Sequence, residues 1–196
     1  MKARLFSLFI LLACMLIQAQ TKAQAQTQSQ PQQSFPYPAL PDTLRSVEQR
    51  AGYLSEHYWD NYNFADTLML KSEEVTEQGF VNFIDILGRF NPAIAQKGIA
   101  GFTQRAFKNT AAKERFESLI EHYFENPQSP LRNDRVYLYF LEEMKNSPCF
   151  DEAEKERLAF KIKTTNKNLP GDIAINFNFK DENGKSHQLS DYRDQK

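Results

Sequence analysis

Two cysteines, three histidines and several neighbouring carboxylates are the side chains of this 196-residue chain that could do chemistry. Cys149 follows Ser147-Pro148 and precedes Phe150-Asp151, close to an expected helix start. A helix N-terminus favours a thiolate, so a redox-sensing thiol or a bond to another chain are the functional readings. Asp151 and Glu152 oppose that charge, and a buried or inert cysteine is the expectation.

His57, His122 and His187 are far apart in sequence, with no i, i+4 pair and no cysteine partner of the kind that marks a zinc site. Glu121-His122 and Glu125 share one helix and could offer ligands, but a solvated polar face is the expected reading. Glu73-Glu74, Glu142-Glu143 and Asp151-Glu152 resemble acid–base pairs, yet adjacent helical positions point in different directions. Neither a metal nor another cofactor is expected, and no catalytic residue is assigned. Tyr53, Tyr58, Trp59, Tyr62 and Phe64 would form a carbohydrate or peptide platform if exposed; helical spacing makes core packing the expectation, with Trp59 the best candidate binding surface.

The elements that must position these residues begin after an export signal. Lys2 and Arg4, an apolar run from Leu5 to Ile17, and then small and polar residues have the three-part layout of a secretory signal. The run is shorter than the roughly 20 apolar residues needed to span a bilayer. Two processing routes stay open. Cleavage after Ala23-Gln24-Ala25 is favoured; the alternative is lipidation at Cys14, since Leu11-Leu12-Ala13-Cys14 resembles a lipobox. Either route leaves Cys149 alone in the mature body, so an internal disulfide is excluded. Gln26 to Gln33 is nearly all Gln, Ser, Thr and Pro and reads as a flexible tether. The formal net charge of -1 gives no electrostatic footprint for nucleic acid.

From there the apolar period is helical. Asp42 or Thr43 is expected to cap a first helix with Leu44, Val47, Ala51, Leu54 and Tyr58 inward. A short apolar run, Leu68 to Leu70, precedes a second helix written by Val75, Phe80, Phe83, Ile84, Leu87 and Phe90. Asn91-Pro92 opens the third, in which Gly98 and Gly101 mark either close helix packing or a break. The fourth spans about Thr110 to Glu125, the fifth begins near Asp134, and Asp151 with Glu154 forms a capping-box-like start for the sixth.

After Pro170-Gly171 the period changes. Ile173, Ile175, Phe177 and Phe179 alternate with smaller or polar residues, which predicts a strand with one buried face. Asp181-Glu182-Asn183-Gly184 supplies the turn and Lys185 to Leu189 the return strand. A lone hairpin is marginal in water, so this row needs a cover from the helices or from a further sheet.

Pro170-Gly171-Asp172-Ile173-Ala174-Ile175-Asn176-Phe177, the Asp181-to-Lys185 turn and Leu189-Ser190-Asp191-Tyr192-Arg193 together resemble the entry into exported thioredoxin-like proteins of the thiol-disulfide oxidoreductase and cytochrome-maturation type. In that family a Gly-Lys pair and a Cys-x-x-Cys helix come next; Asp194-Gln195-Lys196 stands where the pair would be, and no redox cysteine carries over. The preceding region, with Tyr53-Leu54-Ser55-Glu56-His57-Tyr58-Trp59-Asp60, resembles an all-helical domain of unknown function found before thioredoxin-like domains in Gram-negative exported proteins.

The resulting expectation is a mainly α fold: about six helices in a bundle, then a short C-terminal β-hairpin that is the beginning of a thioredoxin-like α/β domain. The expected organisation is a signal peptide (1–25), a Gln/Pro-rich linker (26–41), a helical domain (42–168) and the start of the thioredoxin-like domain (169–196). An exported, non-catalytic accessory or interaction domain is the leading functional reading, with envelope proteins or a thioredoxin-like domain as partners and a membrane only if Cys14 is lipidated. A fragment of a periplasmic thiol-disulfide oxidoreductase and a free-standing helical binding module are the alternatives.

Overall fold

A computed structural model describes residues 34–167 and 169–193. The expected signal segment, Cys14 and the Gln-rich tract up to Gln33 lie outside the described residues. Among the described residues seven α-helices are followed by one antiparallel hairpin, one helix more than the apolar spacing suggests. The addition is the short Leu68 run, which folds as a single turn because Asp66 accepts from the backbone amides of Leu68 and Met69 at 2.9 and 3.1 Å.

The first helix, α1 (Val47–His57), starts later than Asp42 or Thr43 would place it. Ser46 and Gln49 form a capping box in which Ser46 Oγ accepts from Gln49 N at 3.1 Å and Gln49 Oε1 accepts from Ser46 N at 3.1 Å. Ala51, Ser55, Tyr58 and Trp59 face the core, whereas Val47 stays exposed. Next come α2 (Thr67–Lys71), a π-helical turn (Glu73–Glu77) and α3 (Gln78–Arg89), so the expected second helix is one continuous rod with a widened first turn.

Helix α4 (Pro92–Ala106) begins where the sequence places it, with Asn91 Oδ1 accepting from Ile94 N at 3.1 Å and proline in the first turn. Asn109 caps α5 (Thr110–Glu125) and Asn133 caps α6 (Asp134–Asn146). Asp151 and Glu154 close both bonds of their capping box at 2.7 Å to start α7 (Glu152–Thr165). Helix α4 lies between α1 and α6, and α7 covers the other side of α6. Between them sits an aromatic core in which Tyr58, Trp59, Phe80, Phe83, Phe102, Phe116, Phe124 and Phe140 are fully buried.

Phe35, within the segment read as linker, is only 6% exposed, because its ring is the first apolar one after the polar tract and the core offers it an aromatic seat. At the other end, β1 (Asn178–Lys180) pairs with β2 (Ser186–Gln188), Phe179 standing opposite His187. Gly184 takes φ +78° in the reversal, a value glycine reaches without a Cβ penalty.

Candidate functional site

The expected strand from Ile173 to Phe179 is regular only in its last two residues, since the paired segment begins at Asn178. Ladder bonds need a neighbouring strand. β2 ends at Gln188, and just beyond it the Leu189 amide donates to Phe177 O at 3.1 Å. The row that was to be buried is open: Ile173 is 84%, Ile175 53% and Phe177 56% exposed. Phe179 alone is half-buried, with His187 and Tyr192 each 5.7 Å away between ring centroids. Asn176 braces the segment, donating to Gln188 Oε1 at 3.1 Å and accepting from Ser190 N at 2.9 Å. A shallow cavity of ≈ 310 Å³ lies along this face, lined by Ile173, Ala174, Leu189 and Tyr192.

His187 Nε2 lies 3.0 Å from Asp181 Oδ2, and this partner, with the Lys185 and Asn183 amides, holds the Asp181 carboxyl below the usual carboxylate range. The pair fastens the turn to the return strand. The hairpin touches the helical body through Arg135 Nη2, 3.3 Å from Asp172 Oδ1.

A polar cluster joins α5, α6 and α7. Lys161 Nζ lies 2.7 Å from Glu121 Oε1 and 2.8 Å from Glu125 Oε1, and Tyr137 Oη donates to Glu125 Oε1 at 2.5 Å. Burial pushes the Glu125 carboxyl up, but the hydrogen bonds from Lys161 and Tyr137 outweigh it and hold the carboxyl low. Burial and the Glu125 contact push the Tyr137 phenol well above its ordinary value. With Glu125 already accepting from both partners, the cluster acts as a cross-link between helices. A cleft of ≈ 550 Å³ opens beside it, bordered by Phe160.

The sequence-predicted residues are not brought together. Trp59, the candidate binding surface, is instead 1% exposed, because the turn that follows α1 places it among Phe35, Phe83, Phe102 and Phe116. Cys149 is exposed rather than buried, in the loop before α7, where its carbonyl accepts from Lys113 Nζ at 3.0 Å. His122 packs its ring on Tyr123, while its neighbours Glu121 and Glu125 go to Lys161. Glu143 is pushed up by burial and by Glu142.

Two features were missed. Glu77 accepts from Arg115 Nη2 at 2.8 Å and from Tyr123 Oη at 2.9 Å; burial and this contact push the Tyr123 phenol up to about 12. Partners 38 and 46 residues apart leave no spacing signal. The second is the seat of Phe35 on Gly79, whose only sequence trace is a glycine beside the apolar stripe of α3.

A family model described as "Domain of unknown function (DUF5106)" matches residues 14–168. Among solved structures, the chain is similar to a thioredoxin-like protein from Bacteroides caccae ATCC 43185, known from a crystal structure at 1.90 Å resolution. The two are 36% identical with a TM-score of 0.73, over 81% of this chain and 57% of that one. The chain therefore spans little more than half the length of that relative. No curated protein matches it.

Proposed function

Because the chain belongs to the family of the domain of unknown function DUF5106, we propose that it is an exported, non-catalytic helical module that carries the entry hairpin of a thioredoxin-like domain and holds it ready for a cover. The observation that carries this reading is the open row Ile173, Ile175 and Phe177, attached to a helical body whose own core is closed. Likeness to a longer thioredoxin-like protein supports it. The two cysteines stand at positions 14 and 149, so these residues contain no Cys-x-x-Cys. Export rests on Lys2, Arg4 and the apolar run that follows them, and the exported location is periplasmic, with a lipid anchor at Cys14 the alternative.

Deleting residues 173–196 is the direct test. The module reading expects an unchanged denaturation midpoint of the helical body; a clear drop would favour a free-standing binding module whose hairpin belongs to its own core. In an insulin-reduction assay with dithiothreitol, this chain is expected to run at the buffer rate, and turnover above it would overturn the non-catalytic role. The greater length of the solved relative also favours a second reading, in which a longer natural product is a thiol-disulfide oxidoreductase. Insulin reduction by that longer product tests it, and inactivity with a suitable electron donor counts against it.

A further inference from the structure

Phe35-Pro36-Tyr37 is a strap laid over the helical body, and the body is shaped to receive it. The Phe35 ring sits 4.8 Å from Tyr58, 5.2 Å from Trp59 and 5.9 Å from Tyr62, measured between ring centroids. Its floor is Gly79 in α3, where an added Cβ would lie 2.5 Å from Phe35 Cε2. No larger residue at 79 leaves room for the ring. Tyr58 Oη donates to Gly79 O at 3.0 Å and so fixes one wall against that floor.

Two amide donors outside the socket read the rest of the strap. Asn61 Nδ2 donates to Tyr37 O at 3.3 Å, and Asn82 Nδ2 donates to Tyr37 Oη at 2.8 Å. Around Pro36 the chain makes a tight turn, with Tyr37 N donating to Phe35 O at 3.0 Å. The strap belongs to no helix or strand, Tyr37 is half exposed, and residues 39 to 43 are exposed throughout. Phe35 joins the aromatic core, yet a buried aromatic anchor, a flanking aromatic held by its hydroxyl, and a carbonyl held by an amide are also the elements of peptide recognition.

We propose that the Gly79 socket is a peptide-binding site for an aromatic-Pro-aromatic segment, and that the chain's own Phe35-Pro36-Tyr37 is its resident occupant. A tethered occupant competes at the high effective concentration set by its short linker. The site is therefore closed to segments of the same chemistry until the strap leaves. This reading does not depend on the hairpin or on the accessory role.

The chain has a single tryptophan, Trp59, which forms one wall of the socket and reports on it directly. The experiment uses the full chain, its F35A, Y37A and G79A variants, and a labelled synthetic peptide copying residues 35–40. F35A vacates the socket: Trp59 emission should shift, and the peptide should bind at least tenfold more tightly than to the unsubstituted chain and restore the emission. Y37A loosens only the half-exposed end of the strap and should bind the peptide with intermediate affinity. G79A fills the floor and should bind none. Equal binding to all four proteins, or no binding to a folded F35A chain, would overturn the site. Should F35A fail to fold, absence of any gain in Y37A over the unsubstituted chain would overturn it equally.

Discussion

Replacing Gly98 by alanine, beside the same change at Gly101, tests whether α1 and α4 are packed against each other through their backbones. An added Cβ at 98 would lie 2.9 Å from the backbone oxygen of Ser55 and 3.2 Å from Leu87 Cδ2. It would also meet the Ser55 hydroxyl, which donates to Ile94 O at 2.7 Å. A side chain can rotate away, but a backbone oxygen can yield only if the helix moves. Overpacking of this kind costs about 1–3 kcal/mol, and losing the Ser55 bond costs about 1 kcal/mol more. Alanine returns about 1 kcal/mol of helix propensity. G98A should therefore destabilise the chain by about 2 kcal/mol. At Gly101 the nearest atoms to an added Cβ are Arg105 Nη1 at 3.6 Å and Glu56 O at 3.8 Å, which is ordinary contact. Propensity then decides, and G101A should stabilise by roughly 0.5–1 kcal/mol. Urea denaturation at equal m-values reads both. A G98A chain as stable as its parent, or shifts of the same sign at both glycines, would refute the packing argument.

Trp59 should show blue-shifted emission and resist acrylamide quenching in the folded chain; ready quenching would return it to the surface. Cys149, exposed on its loop, should be alkylated without denaturant, as peptide mapping would show, and protection until unfolding would contradict its placement. Glu125 titrates below its ordinary range in the folded chain, despite opposing burial, because Lys161 and Tyr137 hold its charged form. Its contribution is therefore present above the unfolded value and lost as pH falls through the native one, so E125Q should flatten the acid limb of the stability curve. Glu117 is shifted the other way, mainly by burial; its native form binds a proton more tightly, stability falls as pH rises past the unfolded value, and E117Q should gain stability at neutral pH but not at acid pH. Changing Ile175 and Phe177 to serine should leave the midpoint within about 0.5 kcal/mol and reduce self-association in analytical ultracentrifugation, whereas a large loss of stability would mean that the row is packed.

Local signals in the sequence carried through to the structure. Asn91-Pro92 and Asp151 with Glu154 start their helices as read because a cap is made within four residues and needs nothing from the rest of the fold. Ser46 and Gln49 obey the same rule, although Asp42 and Thr43 offer competing caps earlier in the chain. What was illegible depends on distance. The Glu77–Arg115–Tyr123 contact joins residues with no periodic relation, and the inward placement of Trp59, in the turn after α1, depends on rings from α3, α4 and α5. The role of Gly98 was undecided between packing and a break; only the approach of Ser55 resolves it. In the hairpin, alternation predicted a strand with one buried face, but period two says nothing about whether a pairing strand is adjacent, and the face is open. Regular pairing consequently begins five residues beyond Ile173.

The two ends of the described chain present the same physical demand with opposite outcomes. Full burial of an Ile or Phe side chain is worth about 1.5–3 kcal/mol. At the N-terminal end that demand is met in cis, since Phe35 lies at 6% exposure on a glycine floor. At the C-terminal end Ile173, Ile175 and Phe177 remain more than half exposed, although the seven helices bury their own aromatic core. The helices cannot serve both ends: their apolar faces are already turned toward Phe80, Phe102, Phe116 and Phe140, and α7 presents mainly charged residues outward. On the proposed module reading, the cover for the hairpin row accordingly comes from apolar surface other than this helical core. On the same reading the hairpin is a point of attachment, while the cis-filled socket at the other end stays closed for as long as its strap is seated.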